Sequence, residues 1–480
     1  MSFANPDLPG YDIIQKISVA LGLAGVLVMM LACLDIQNIM TPGYLTSSLL
    51  LISVGVILFS WRTFLVKHEG IRNDGIWQRS LTNRGLWGWI LGVLVTIFYV
   101  LLYWFPALIG LSGNGNTGLV AFFDPLSMLL KGTPASQWFV YGVLYTVAII
   151  IFGIRFIWKY RHNRYQVFRT CSVMFFQLGF AFLIPEFLQK LNYPYNDMKN
   201  MWPLNYYFFD EWNIKALLGS GSFGFWMLVL GVLMIFIISP ILTYLYGKRW
   251  YCSWVCGCGG LAETAGDPFR QLSDKSLKAW QIERWMIHLV LVFSFLMTIG
   301  VAYSFFHNNP SGYWLNKTGF LLILSVIILV LVLLSWFIKP FKQNLDTKAL
   351  QIFTLIMGLA WFAVLINYFT GSGNALFINF YTLRSWYGFL IGAAFSGVIG
   401  VGFYPLMGSR VWCRYGCPMA AILGVQQKLF SRFRITTNGG QCISCGNCST
   451  YCEMGIDVRA YAQKGQNIVR ASCVGCGICA

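Results

Sequence analysis

Residues 442–480 read CISCGNCSTYCEMGIDVRAYAQKGQNIVRASCVGCGICA. Cys442, Cys445, Cys448 and Cys452 follow C-x2-C-x2-C-x3-C, and Cys473, Cys476 and Cys479 begin a second copy 31 residues later. In this bacterial run three closely spaced thiolates grip one 4Fe–4S cluster and the fourth crosses to the other. The spacing therefore predicts two cubanes. One takes Cys442, Cys445 and Cys448, with its last ligand expected roughly three or four residues beyond Ala480. The other takes Cys473, Cys476 and Cys479 together with Cys452. Residues 421–480 are expected to form this module, which would continue past Ala480. Glu453 departs from the proline that usually follows the fourth cysteine.

Outward from the module, the chain turns apolar. Of 480 residues, 57% are hydrophobic and 11% charged, against about 25% charged in ordinary globular proteins. Runs near twenty apolar residues recur, each able to cross a bilayer core of about 30 Å as a helix. Ten spans are expected at roughly 13–35, 44–66, 86–110, 138–158, 168–188, 223–246, 285–306, 319–338, 349–369 and 387–407. The first lacks a basic leader and a small-residue cleavage site, and reads as a retained anchor. The expected fold is an all-α polytopic membrane protein with a cytoplasmic, C-terminal, bacterial-type two-cluster ferredoxin-like module. Residues 1–222 hold the first five helices with their exterior loops, and 223–420 the core of five more.

Charge sets the orientation. The net charge is +17, and with these spans 28 of the 34 Lys and Arg fall on one side. Arg62, Lys67, Arg72, Arg79 and Arg84 share one loop there, and Arg155, Lys159, Arg161, Arg164 and Arg169 the next. The other side keeps Lys131, Lys190, Lys199, Lys215, Lys317 and Arg384. This is the positive-inside pattern, which expects both termini and the clustered cysteines in the cytoplasm of a bacterial inner membrane. The charge is thus topology rather than a nucleic-acid footprint, with anionic lipid as a secondary beneficiary. On the reducing side, cysteine clusters read as metal ligands rather than disulfides. Cys33 and Cys171 read as small buried hydrophobes.

Two further cysteine pairs follow the sixth and tenth spans, in GKRWYCSWVCG (247–257) and GSRVWCRYGCP (408–418). Aligned on Cys252 and Cys413, both have Gly five before, Arg three before (Arg249 and Arg410), an aromatic just before, an aromatic two after and Cys four after. Duplicated halves of membrane proteins often build a site between them. C-x3-C on a helix would put both sulfurs on one face. Cys252, Cys256, Cys413 and Cys417 then offer four thiolates for a third Fe–S cluster at the cytoplasmic surface, with Arg249 and Arg410 offsetting its charge. Cys258 is a replacement ligand or a bystander. The loop after the first pair, with Glu263 and Asp267, reads as solvated.

The long loop after the fifth span is dense in aromatics and acids and reads as exterior, either an aromatic belt at the membrane interface or part of a quinone pocket. A carboxylate near a span is costly without a role, which makes Glu186 the candidate proton acceptor of a quinone pocket. Asp124 reads as a helix cap beside Pro125. His68 and His162 are loop residues, and His288 and His307 are separated by a helix length, so no haem pair forms within the chain.

Membrane helices, two C-x3-C(P) motifs and a terminal double ferredoxin module resemble the NapH/NosR-type membrane ferredoxins and the related CcoG-type assembly ferredoxins. The resemblance covers roughly residues 223–480. It departs at Gly257, where the family commonly has proline. It implies electron transfer between the quinone pool and a redox partner: other subunits of a membrane complex, or a soluble or periplasmic protein. Alternatives are a copper reductase or assembly factor for an oxidase, and a redox-sensing regulator.

Overall fold

The structure, a computed structural model, describes residues 10–66, 76–309, 315–337, 347–371 and 379–480. Lys67, His68 and Arg72 lie outside the described residues. Among the described residues there is no strand, and one isolated antiparallel bridge joins Ile435 to Ile468. Eight helices among the described residues are long and apolar enough to cross a membrane. They are α1 (Ile13–Cys33), α2 (Pro42–Leu65), α3 (Leu86–Trp104), α4 (Gln137–Lys159), α5 (Arg164–Lys190), α6 (Gly221–Tyr246), α9 (Leu277–Asn308) and α10 (Lys317–Phe337). Between α6 and α9 come two short helices, α7 (Arg249–Cys252) and α8 (Gly257–Thr264). A helix suits a bilayer because it satisfies every interior backbone N–H and C=O within itself. Polar caps mark the starts: Asp12 with Gln15 boxes α1, while Ser136, Asn163 and Ser276 cap α4, α5 and α9.

The last two expected spans differ from this pattern. α11 (Thr347–Phe369) is apolar enough only over Thr354–Phe369. α12 (Phe380–Tyr387) carries Arg384 and continues as a wide-turn helix, Gly388–Ile399, which breaks before Tyr404. Wide turns also precede Pro185 in α5 and Pro240 in α6. A proline removes an amide and crowds the carbonyl four residues back, so the turn before it opens.

The bundle has two distinct ends. At the far end Arg384 pairs with Asp210, Lys190 donates to the Leu129 carbonyl at 3.1 Å, and Asn309 donates to Glu211 at 3.3 Å. At the opposite end the cysteine module docks: Tyr165 donates to the Gly475 carbonyl at 2.8 Å and Gln166 to that of Cys476 at 2.8 Å. Ser253 donates to the Val474 carbonyl at 2.8 Å, and the Arg432 amide to the Tyr244 carbonyl at 2.9 Å. The module is therefore seated on the bundle.

Two stretches read as loops fold inward. Residues 191–210 leave the far end of α5 without regular structure and enter the bundle. Trp202 donates to Thr298 on α9 at 2.9 Å, and Phe208 packs where a Cβ on Gly231 of α6 would stand 2.4 Å away. From the module end, α7 and α8 dip the other way. The start of α8 meets Gln177, the midpoint of Arg164–Lys190, and Tyr145 of α4. Irregular backbone at such depth is tolerated where protein encloses it. The loop after Cys256 is accordingly not solvated: Glu263 and Asp267 are buried. Asp124, expected as a helix cap, does not cap: it is the first residue of the helix Asp124–Lys131, to which no side chain makes a capping bond. Its carboxylate accepts from Asn116 at 2.7 Å and from the Ala135 amide at 2.6 Å, closing the 110–136 loop.

Candidate metal centres

The duplicated motif has a duplicated backbone. Gly247 and Gly408 both adopt positive φ (67° and 96°), the region that favours glycine, and turn the chain back into the bundle. The Cys256 amide then donates to the Tyr251 carbonyl at 2.8 Å, and the Cys417 amide to that of Trp412 at 2.9 Å. Each second cysteine caps the helix that follows, Cys256 that of α8 and Cys417 that of α13 (Pro418–Phe430). This corrects the single-helix expectation. Cys252 ends one short turn and Cys413 lies inside another (Trp412–Gly416), while each second cysteine opens the next helix, so its sulfur sits at a helix N-terminus, where thiolate charge is favoured.

Cys252, Cys256, Cys413 and Cys417 are all buried and feel one another's charge. They lie inside the bundle, near its midpoint on the α8 side, rather than at a surface of the bundle. Burial pushes Cys252 up to about 12, with Lys248 pulling it down, and pushes Cys413 and Cys417 above the ordinary thiol range. Cys256 is the exception. A hydrogen bond from the Cys258 thiol holds it down to about 6 against burial, helped by Lys199 and the amides of Gly259 and Cys258. Three of the four thiols thus resist ionisation unless a metal supplies the compensating charge. Thiolate is the soft ligand that Fe–S clusters require. The donor set fits such a cluster.

Cys452, Cys473, Cys476 and Cys479 line one cavity, walled by Ile435, Met454, Ile456, Val458, Ile468 and Val474. Burial pushes Cys452 up to about 11 and Cys479 up to about 12. Among the described residues no three His, Cys, Asp or Glu converge on a point where one metal ion would sit. Four thiols around a dry space fit a cubane rather than a single ion. Cys442, Cys445 and Cys448 lie apart from the cavity on the module's outer turn, with Cys445 exposed.

A buried ionic network joins the two centres. Arg410 donates to the Cys252 carbonyl at 3.1 Å and to Cys413 Sγ at 3.6 Å. It also pairs with Glu263, and with Glu453 at 3.0 Å. Glu453 lies against Arg270 at 3.1 Å, Glu263 against Arg169, and Asp267 against Arg270 (2.9 Å) and Lys159 (2.7 Å). Burial works against the charge of Glu453, but Arg410 and Arg270 outweigh it and hold its carboxyl below the usual range. Burial pushes Glu263 the other way. Lys248, also buried, pulls on both Cys252 and Cys473.

Arg249 does not join its counterpart. It stacks over Phe433 (4.8 Å) and Trp254 (5.4 Å), beside Gly475 of the module. Glu186 is buried near the far end of α5, away from the cysteines. His307 contacts Lys317 at 3.1 Å, at the opposite end of α9 from His288. Sequence reasoning passed over Lys199, Lys248, Arg169 and Arg270. An intramembrane charge inside or beside an apolar span was the available signal for Arg169. The others sit in connections whose burial no pattern reveals.

A family model described as a 4Fe-4S binding domain matches residues 228–276 and 389–436. The matches enclose Cys252, Cys256 and Cys258 in one half, and Cys413 and Cys417 in the other. The chain is also similar to the “Putative electron transport protein YccM” of Escherichia coli (strain K12), at 24% identity over 246 residues. The match covers 51% of this chain and 52% of that protein, so the chain spans about half the length of the curated relative it matches. No solved structure matches the chain.

Proposed function

We propose that the protein is a membrane-bound iron–sulfur electron-transfer subunit working between the quinone pool and a redox partner in a bacterial respiratory complex. The observation that carries this reading is one continuous block of buried contacts. Arg410 meets Cys413 Sγ and the Cys252 carbonyl inside the bundle, Arg410 meets Glu453, and Glu453 adjoins Cys452 at the wall of the module cavity. One buried ion pair, Arg410 with Glu453, thus links the two groups of cysteines. When bound, the clusters supply one-electron chemistry, and the protein sets its potential through ligation, burial and neighbouring charge.

The residues divide that labour. Cys252, Cys256, Cys413 and Cys417 would hold the bundle cluster, and Cys452, Cys473, Cys476 and Cys479 the cavity cluster. Cys442, Cys445 and Cys448 would hold an outer cluster on the exposed turn. Arg410 and Lys248 supply positive charge beside sulfur, favouring added electrons. The cavity wall beside the sulfurs is largely aliphatic. Similarity to the NapH/NosR-type ferredoxins and the name of the E. coli relative support the same class. The placement of basic loops supports a cytoplasmic module.

Oxygen-free purification with iron, sulfide and low-temperature EPR analysis tests the reading. About four irons per occupied site are expected, with signals that appear on adding a quinol. Colourless protein without inorganic sulfide would refute it.

A further inference from the structure

Segment 191–210 brings ionisable side chains from the far end to the bundle's cysteines. Lys199 anchors its tip: the Tyr251 hydroxyl donates to the Lys199 carbonyl at 2.9 Å. A Cβ on Gly257, next to Cys256, would stand 3.3 Å from Lys199 Nζ and 2.3 Å from Gln177 Oε1. The depth is real, because Thr298, which holds Trp202, is ten residues from the far end of Leu277–Asn308, about 15 Å of helix. Asp197 pairs with Lys199 at 3.7 Å. Tyr195 lies within the influence of both Asp197 and Glu186, and Glu186 lies near the far end of α5. The buried acceptors Gln177 Oε1, Asn200 Oδ1 and Glu186 Oε2 have no donor among the described residues. Buried acceptors of this kind are commonly met by ordered water.

We propose that segment 191–210 is a hydrated proton path, in which Asp197 exchanges a proton with the far end through Tyr195 and Glu186 as electrons enter and leave the four-cysteine site. The idea rests on the electron-transfer reading. A quinol, the reductant by class, gives up one electron and one proton per step. The electron adds one negative charge to the cysteine site, and the Asp197 carboxylate takes the proton while Lys199 stays charged. The bundle interior, where uncompensated charge is costly, is left with its net charge unchanged. When the electron moves on to the module, the Asp197 O–H bond breaks and the proton leaves by Tyr195 and Glu186. The groups facing Asp197 are Lys199 and Tyr195 on its own segment and Tyr251 on α7, with Glu186 beyond Tyr195 and Cys256 and Cys258 beyond Lys199.

The test is EPR redox titration of the purified protein between pH 6 and 9. The bundle signal should fall by about 59 mV per pH unit, one proton per electron. Asp197→Asn should flatten that slope, and Asp197→Glu should restore it. Glu186→Gln should keep the slope but slow the relaxation after a pH jump at least tenfold. Equal slopes in wild type and Asp197→Asn at equal iron content would overturn the proposal, as would unchanged relaxation in Glu186→Gln. Wild-type protein without iron and sulfide would sink the electron-transfer reading itself, a result distinguishable from either.

Discussion

Residues 247–264 and 408–424 follow one backbone course and keep different company. Both turn at a positive-φ glycine and both cap a helix with the second cysteine. Then they diverge position by position. In the aligned motifs Gly257 corresponds to Pro418, Cys258 to Met419, and Lys248 to Ser409. The second half is sealed by apolar packing, with Met419, Ala420 and Leu423 all buried. The first half meets Gln177, Tyr145 and Lys199. The motif occurs twice, and it is the helix after the first cysteine pair that has a polar neighbourhood. The arginines separated in the same way: Arg410 turned inward to the cysteines, while Arg249 stacks under the module.

The largest expected effect tests whether the halves are equal as ligand donors. Cys413→Ala or Cys417→Ala should remove the bundle cluster, about four irons per chain, and leave the module's signals. Cys258→Ala should keep full iron content, because its thiol serves Cys256 as a hydrogen-bond donor. Iron and sulfide assays decide between them. Loss of the cluster in Cys258→Ala would make the first half a three-cysteine donor and break the equivalence.

The thiols themselves should differ next. Cys258 and Lys199 hold the Cys256 thiol below the ordinary thiol range, whereas burial raises Cys417 well above it. Alkylation of the iron-free protein should therefore be faster at Cys256 than at Cys417. The sign for stability follows. A depressed thiol contributes stability that is full above its ordinary value of 9 and is lost as pH falls through about 6. Peptide mapping after timed alkylation reads the first effect. Equal rates at the two cysteines would remove the asymmetry.

Much of this architecture was legible from residue spacing, and the illegible parts share one cause. The ferredoxin run and the duplicated cysteines announce themselves because ligand spacing is local. Apolar runs announce most helices. Depth does not announce itself, since C-x3-C reads equally well as one continuous helix and as two broken ones. The 191–210 loop looked exterior because hydropathy counts composition and cannot see the fold burying Trp202 and Phe208. Two departures from the family pattern, Gly257 and Glu453, read as weaknesses of the match. Both have structural uses: Gly257 admits a close approach and Glu453 completes an ion network.

The arginines offer the next contrast. Arg410 is 1% exposed and holds two carboxylates. Removing one partner of a buried network leaves the other charge uncompensated, at a cost of about 3–5 kcal/mol. Arg410→Met should therefore lower apparent stability strongly and shift the potentials of both inner clusters. Arg249→Met forfeits only ring stacking, about 0.5–2 kcal/mol. Thermal unfolding of the two variants side by side measures the difference. Similar losses would mean that Arg249 also carries buried charge.

The smallest effect is the most specific to the divergence of the halves. A Cβ on Gly257 would stand 2.3 Å from Gln177 Oε1 and 3.2 Å from the Tyr145 ring. Gln177 is buried, and its amide nitrogen is already committed to Thr146 at 3.1 Å, so the neighbour has little room to withdraw. Gly257→Ala should then cost about 1–3 kcal/mol, the range for overpacking. Pro418→Ala, by contrast, relaxes a ring at the first turn of α13, where the missing N–H had no helical partner to lose, and should cost less than about 1 kcal/mol. If the backbone at 257 were free to move, Gly257→Ala would be as mild as Pro418→Ala. The approach of α8 to α5 would then be incidental, and the polar neighbourhood of Cys256 would lose the contact that fixes it in place.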